Sequence, residues 1–478
     1  MTFKIFSTAC LLALIAIATR AQTSAAPALT TAPATPTQTA PETRRQSDPD
    51  RLVASRAPAA CPAVVKIPVN CDESKVGTYT LPDPLKFDNG KPVRSAKDWA
   101  KRRAEIVKII ETQQYGIAPG RPADESFEVT DKGTLALDGK AIRRQVTIHL
   151  SGRDKGDPTW PAIHVLIYLP AGAKKPVPMF FSINFGLIQN VAKDPGVVPE
   201  LTRDPKTNEL VTPPPPVAGR MMFGPINVQA FLDAGIGVAT FYYAELDPDT
   251  LTGFAHGIRA KYMKPGQTGE ADRAPDAWGS IAAWAWGMSR VEDYFETDKD
   301  VDAKRVAIHG VSRLGKTVAW AGAHDQRFAA VIASCGGEGG AALSHRDYGE
   351  TIAHLTEPTR YPYQFAANYA KYAGFPDKAP MDANMLLALI APRPVLLQTG
   401  STDTWSDPKG EFLAAVAAGP VYKLLGKQDL GTDVWPAAKV PLFSNGLNYY
   451  MHEGGHGMVP TDYDIYVQFL KAQLHPEM

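Results

Sequence analysis

Arg305-Val306-Ala307-Ile308-His309-Gly310-Val311-Ser312-Arg313-Leu314-Gly315-Lys316-Thr317 is the stretch on which the fold turns, because it satisfies two incompatible motifs at once. Gly310 to Thr317 spells G-x-x-x-x-G-K-T, a loop that cradles phosphates. The same residues also describe a strand ending near His309, a sharp turn carrying Ser312 and a helix starting near Gly315, the nucleophile elbow of an α/β-hydrolase. A third reading gives the glycines no chemistry, since any tight strand-to-helix turn needs small residues. The serine reading carries one departure: Leu314 stands where G-x-S-x-G has its second glycine, and Gly315 comes one place later.

The N-terminus weighs against a nucleotide. Lys4 precedes an apolar run from Ile5 to Ala18, and Thr19-Arg20-Ala21 offers a small-residue cleavage site, so residues 1–21 read as a secretory signal peptide. The run is short for a membrane span. An exported, secreted or periplasmic protein meets little ATP or GTP. Residues 22–58, rich in Ala, Thr, Pro and Ser, read as a disordered linker, leaving 59–478 as one catalytic domain. Fifty basic residues balance fifty acidic ones, so no charge excess points to nucleic acid, and no segment suits a membrane after signal cleavage. Cys10 leaves with the signal peptide. Cys61 and Cys71 bracket a short segment and are expected to form a disulfide in an oxidising compartment, while Cys335 remains as a small buried residue.

Periodicity supplies the frame. Ser95 can cap a helix to about Tyr115 with Trp99, Ile106 and Ile110 on one face. Strands are expected at 141–150, 162–169, 179–183, 236–242, 305–309, 328–333, 395–398 and 447–451, with helical patterns such as 278–294 between the later ones. That alternation predicts a mainly parallel central sheet covered on both faces, an α/β-hydrolase three-layer sandwich. Residues 195–216 and 426–441 read as irregular surface insertions. Several strands precede the Ser312 turn, whereas a phosphate loop usually follows the first strand.

A serine hydroxyl is a poor nucleophile, so a base and an orienting acid must come from elsewhere in the fold, in the order serine, acid, histidine. Asp403 follows the 395–398 strand, and His456 lies in the turn Gly454-Gly455-His456-Gly457 after the 447–451 strand. An aspartate after a strand also suits a turn or a helix cap. His452-Glu453-Gly454-Gly455-His456 spells the zinc motif H-E-x-x-H, which works only on a helix. Two glycines cost such a helix about 2 kcal/mol relative to alanine. With no clear third ligand, no metal is expected.

Gly310-Val311-Ser312-Arg313-Leu314-Gly315-Lys316 resembles the G-C-S-R-x-G-K elbow of glucuronoyl esterases, carbohydrate esterase family 15. Gly339-Gly340-Ala341-Ala342, Leu389-Ile390-Ala391-Pro392-Arg393 and Asp403-Thr404-Trp405 are similar to further segments of that family, and the likeness spans about residues 80–475. The resemblance implies Ser312 as nucleophile, His456 as base and Arg313 as the oxyanion-stabilising group. It implies sugar contacts from Lys316 and Trp405, with Glu350 and Glu357 in the segment that supplies more of them. Val311 replaces the elbow cysteine, removing a disulfide of fungal members. Cys335 stands where those members carry the triad glutamate; many bacterial relatives take the acid from the later loop, which favours Asp403, with Glu338 in reserve.

The implied substrate is an ester of 4-O-methyl-glucuronic acid on glucuronoxylan, joined to a lignin alcohol, cleaved by a monomer without cofactor. An acetyl-xylan or feruloyl-type esterase is the nearest alternative. A silent polysaccharide-binding protein and a P-loop NTPase are the remote ones.

Overall fold

The computed structural model describes residues 66–152, 160–203, 207, 209–213 and 225–475. The expected signal peptide and linker, together with Cys61, lie outside these residues. Cys71 is disulfide-bonded, and Cys335 is a free, buried thiol.

Most of the expected strands form within a residue or two of their predicted ends, and one long strand was not foreseen. β1 (Ser126–Ala136), β2 (Ala141–His149), β3 (Ala162–Pro170) and β4 (Val177–Asn184) come first. A small ribbon, β5 (Thr202–Arg203) with β6 (Leu210–Val211), lies in a segment expected to be irregular. Then follow β7 (Gly237–Tyr242), β8 (Val301–Val311), β9 (Ala330–Ser334), β10 (Val395–Gly400) and β11 (Leu447–His452). The unforeseen strand, β1, is the edge of the sheet, where one side of the ladder meets solvent and polar residues suffice.

These strands make one nine-stranded sheet in the order β1-β2-β3-β7-β4-β8-β9-β10-β11. β1, β2, β3 and β7 pair antiparallel, and everything from β7 to β11 is parallel. A strand covered on both faces sends alternate residues to two cores. Val306 and Ile308 of β8 pack into one with Trp284 and Val318, while Ala307 packs into the other with Phe180, Phe231 and Tyr466. The helices Ser280–Phe295 and Arg313–His324 therefore cover one face, and Val228–Asp233 and Asp462–Leu474 the other. Phe180 and Phe231 stack across that second layer at 4.1 Å between ring centroids.

The helix after Ser95 is α-helical over Ala96–Ile110 and widens to a π turn over Glu111–Tyr115. Its Trp99, Ile106 and Ile110 are buried as the spacing predicted. No helix among the described residues is long and apolar enough to cross a membrane. Because β8 to β11 are parallel, the loops after them all open at one edge of the sheet, where α/β folds place their sites.

Candidate active site

Ser312 is the hinge between β8 and its helix. Gly310 and Val311 still belong to the strand, and Arg313 already opens the helix, so the turn is one residue long. The helix thus starts two residues earlier than the sequence suggested. A phosphate loop needs several residues to wrap an anion; here none are left for it, which excludes that reading. Ser312 has φ +59° and ψ −126°, a conformation that ordinary residues rarely adopt and that strains the turn. The glycines fit this turn sterically. A Cβ on Gly310 would lie 2.3 Å from the Leu314 carbonyl oxygen, and one on Gly315 would lie 2.5 Å from that of Ser334. Gly315 is needed where the helix crosses the end of β9, which explains its shifted place in the motif.

Asp403 and His456 meet at the same edge. The loops that carry them are stitched together: Ser401 N donates to His452 O at 2.9 Å and Thr402 N to Gly454 O at 2.8 Å. His456 Nδ1 lies 2.7 Å from Asp403 Oδ2. The other oxygen of Asp403 accepts from Ser406 N at 3.3 Å, and Ser406 Oγ lies 3.1 Å from His456 Nδ1. Asp403 is 4% exposed while the His456 side chain is 32% exposed, so a buried carboxylate holds a ring that substrate can reach. Nδ1 facing a carboxylate leaves Nε2 as the nitrogen available for proton transfer.

Glu338, the reserve acid, is engaged elsewhere. It accepts from Ser344 Oγ at 2.7 Å and from Tyr369 OH at 3.0 Å. Burial pushes its carboxyl up to about 8, against the pull of those hydrogen bonds. Cys335 does lie under the histidine loop. Its Sγ is 3.4 Å from Gly457 N, and it, Asp403 and His456 have ligand atoms within 4.8 Å of one another. Burial and the neighbouring Asp403 and Glu411 hold the thiol well above its ordinary range, so it packs as a neutral group.

The zinc motif does not form. His452 ends β11, its Nδ1 3.0 Å from Asp462 Oδ2, and residues 453–457 are bends with no helix. His309, just before the elbow, is buried beside Ser182 Oγ at 2.9 Å; burial drives its pKa down to about 3, leaving a neutral structural imidazole.

Of the remaining candidates, Lys316, Glu350 and Trp405 are linked with Arg360 in one cluster, and Glu357 is apart from it. Lys316 Nζ donates to Gly336 O at 2.9 Å and lies 3.6 Å from Glu350 Oε2. Glu350 also binds Arg360 Nη2 at 3.1 Å, and its backbone N–H donates to the Trp405 carbonyl at 2.8 Å. The Arg360 guanidinium sits 5.2 Å from the centre of the Trp405 ring. Glu357 is spent locally, accepting from Thr359 N at 2.8 Å and from Thr359 Oγ1.

A family model for fungal glucuronyl esterases matches residues 272–426, which include the elbow and the Asp403 loop. Carbohydrate esterase MZ0003, from an unknown prokaryotic organism, is 42% identical over 415 residues, spanning 84% of this chain and 91% of its own length. The solved glucuronoyl esterase of Solibacter usitatus is 44% identical and covers 84% of this chain and 100% of its own, with a TM-score of 0.77. A promiscuous CE15 esterase from a marine bacterial metagenome is 40% identical, covers 85% and 100%, and gives a TM-score of 0.73. The chain belongs to carbohydrate esterase family 15, the glucuronoyl esterases.

Sequence reasoning missed how this glucuronoyl esterase holds its arginine. Arg313 Nη1 donates to Asp249 Oδ2, and Asp249 also accepts from Tyr243 OH at 2.8 Å, Tyr363 OH at 2.7 Å and Gln364 Nε2 at 2.8 Å. The guanidinium stacks over Tyr361 at 4.5 Å, and Arg360 reaches the same ring at 4.8 Å. Burial opposes the charge of Arg313, but Asp249, Tyr243 and Tyr361 more than offset it and raise its pKa. The signal was Asp247-Pro248-Asp249 soon after β7, an acid able to balance the arginine next to Ser312.

Proposed function

We propose that this esterase is exported and hydrolyses esters of 4-O-methyl-glucuronic acid on glucuronoxylan, including those to lignin alcohols, through an acyl-enzyme on Ser312. The observation that carries the mechanism is the strained one-residue elbow at Ser312 with a buried Asp403 carboxylate 2.7 Å from the exposed His456 ring at the same sheet edge.

His456 takes the Ser312 proton as the hydroxyl attacks the uronate carbonyl, and Asp403 stabilises the imidazolium. Negative charge builds on the carbonyl oxygen. Arg313 meets it with a fixed positive group whose orientation is set by Asp249 and Tyr361, so little reorganisation is needed when the charge appears. His456 then returns the proton to the leaving alcohol, and water repeats the sequence on the acyl-enzyme. An ester has lost the uronate charge, so the sugar is recognised by hydrogen bonds and an aromatic wall. Lys316, buried and with donor capacity beyond Gly336, Glu350 between Lys316 and Arg360, and the partly exposed Trp405 supply that set. Glu357, turned back on Thr359, supports this reading less.

The test is acid release from benzyl glucuronate compared with acetate release from acetylated xylan, each with and without EDTA. Faster turnover of the uronate ester, unchanged by EDTA, is expected. Preference for acetate would make the protein an acetyl-xylan-type esterase on the same fold.

A further inference from the structure

Away from the triad, three metal-ligating side chains to which the proposed esterase mechanism gives no role converge on one cavity. His164 comes from β3, Glu245 from the short helix Tyr243–Leu246 after β7, and Glu200 from the insertion just before β5. Their ligand atoms lie within 4.8 Å of one another. All three line a cavity of about 830 Å³, which Tyr243 and Asp249 also line, next to the group that holds Arg313.

Glu200 is the decisive member. It is 6% exposed, yet its Oε1 is enclosed with no hydrogen-bond partner; its Oε2 has only a long contact of 3.4 Å from Ile188 N. A buried, unpartnered carboxylate oxygen is costly and calls for a positive ligand. The position is built: Glu200 N donates to Gln189 Oε1 at 3.2 Å, and Gln189 Nε2 returns a bond to Glu200 O at 3.3 Å. Glu245 is fixed in the same way. Its Oε1 accepts from His164 N at 2.9 Å, which aims Oε2 at His164 Nδ1, 2.7 Å away. The His164 side chain is half-exposed, so the group is open to solvent on one side.

We propose that His164, Glu200 and Glu245 form a divalent transition-metal site that ties the insertion to the sheet. One imidazole and two carboxylates suit zinc or manganese, and the ligand-field order favours zinc of the two. A dication balances the charges of both carboxylates at once.

The experiment uses the mature protein, free of any histidine tag and stripped with chelator, titrated calorimetrically with Zn²⁺ and with Mn²⁺. Bound metal is counted after gel filtration, and the melting temperature is followed in parallel. Wild type should take up one equivalent of Zn²⁺ and melt higher with it. Glu200→Gln and the half-exposed His164→Ala should each lose affinity by more than the ~10–100-fold typical of an outer partner. His456→Ala, which dismantles the Cys335, Asp403 and His456 group, should keep the equivalent. Absence of binding by wild type overturns the proposal. So does an equivalent that survives both Glu200→Gln and His164→Ala, because that metal sits elsewhere.

Discussion

The ends of β9 and β10 each present a buried carboxylate to the catalytic edge, and they are put to opposite uses. After β9, Glu338 is packed among hydroxyls and pushed up to about 8, which favours its neutral form, bonded to Ser344 and Tyr369. After β10, Asp403 has a backbone N–H on one oxygen and the His456 ring on the other. Cys335 takes the β9 position nearest the histidine loop. Burial does not distinguish the two carboxylates; the partners that face them do.

The largest effect that sharpens this contrast is expected at Ser312, the proposed nucleophile. Ser312→Ala should lower kcat on benzyl glucuronate by about 10⁴–10⁶-fold with the fold intact by circular dichroism, and a residual rate near wild type would remove the serine mechanism altogether.

Next comes the arginine beside Ser312. Arg313→Ala should cost about 10²–10³-fold in kcat, as expected for removing an oxyanion donor, with KM moving far less. If KM alone changes, Arg313 binds substrate and the oxyanion role belongs to backbone groups. Asp249→Asn should cost about tenfold, the scale of one weakened charge-assisted hydrogen bond, and should act through kcat. An unchanged kcat there would show that Tyr361 stacking positions Arg313 by itself.

The smallest effect on rate is at Glu338, where the signature is stability. Its folded pKa, about 8, lies above its ordinary value of 4.5, so folding binds the proton more tightly than the unfolded chain does. That contribution is complete below the ordinary value and is lost as pH rises through the folded one. Melting temperatures of wild type should therefore fall between about pH 4.5 and about pH 8 more steeply than those of Glu338→Gln. Parallel curves would mean that Glu338 is ionised in the fold.

Much of this site was legible because it sits on short connections between strongly patterned elements. A serine between a β-rich run and a helical one, then an aspartate and a glycine-flanked histidine after later strands, has few possible arrangements in a parallel sheet. What escaped was carried by residues without a local pattern. β1 is polar because it is an edge, and the β5–β6 ribbon is too short to show a period. Asp249 is one acid among fifty acidic residues, and its role appears only when Tyr243, Arg313, Tyr363 and Gln364 converge on it. Glu338 and Asp403 were both possible acids in the sequence because nothing local tells a carboxylate bonded to a tyrosine from one bonded to an imidazole.

The most direct measurement is kcat for benzyl glucuronate of Asp403→Asn beside Glu338→Gln, with both proteins shown to be folded. Loss of about 10⁴-fold in Asp403→Asn, with Glu338→Gln close to wild type, is the predicted result. A collapse of Glu338→Gln with Asp403→Asn still active would contradict the account and return the acid to the end of β9.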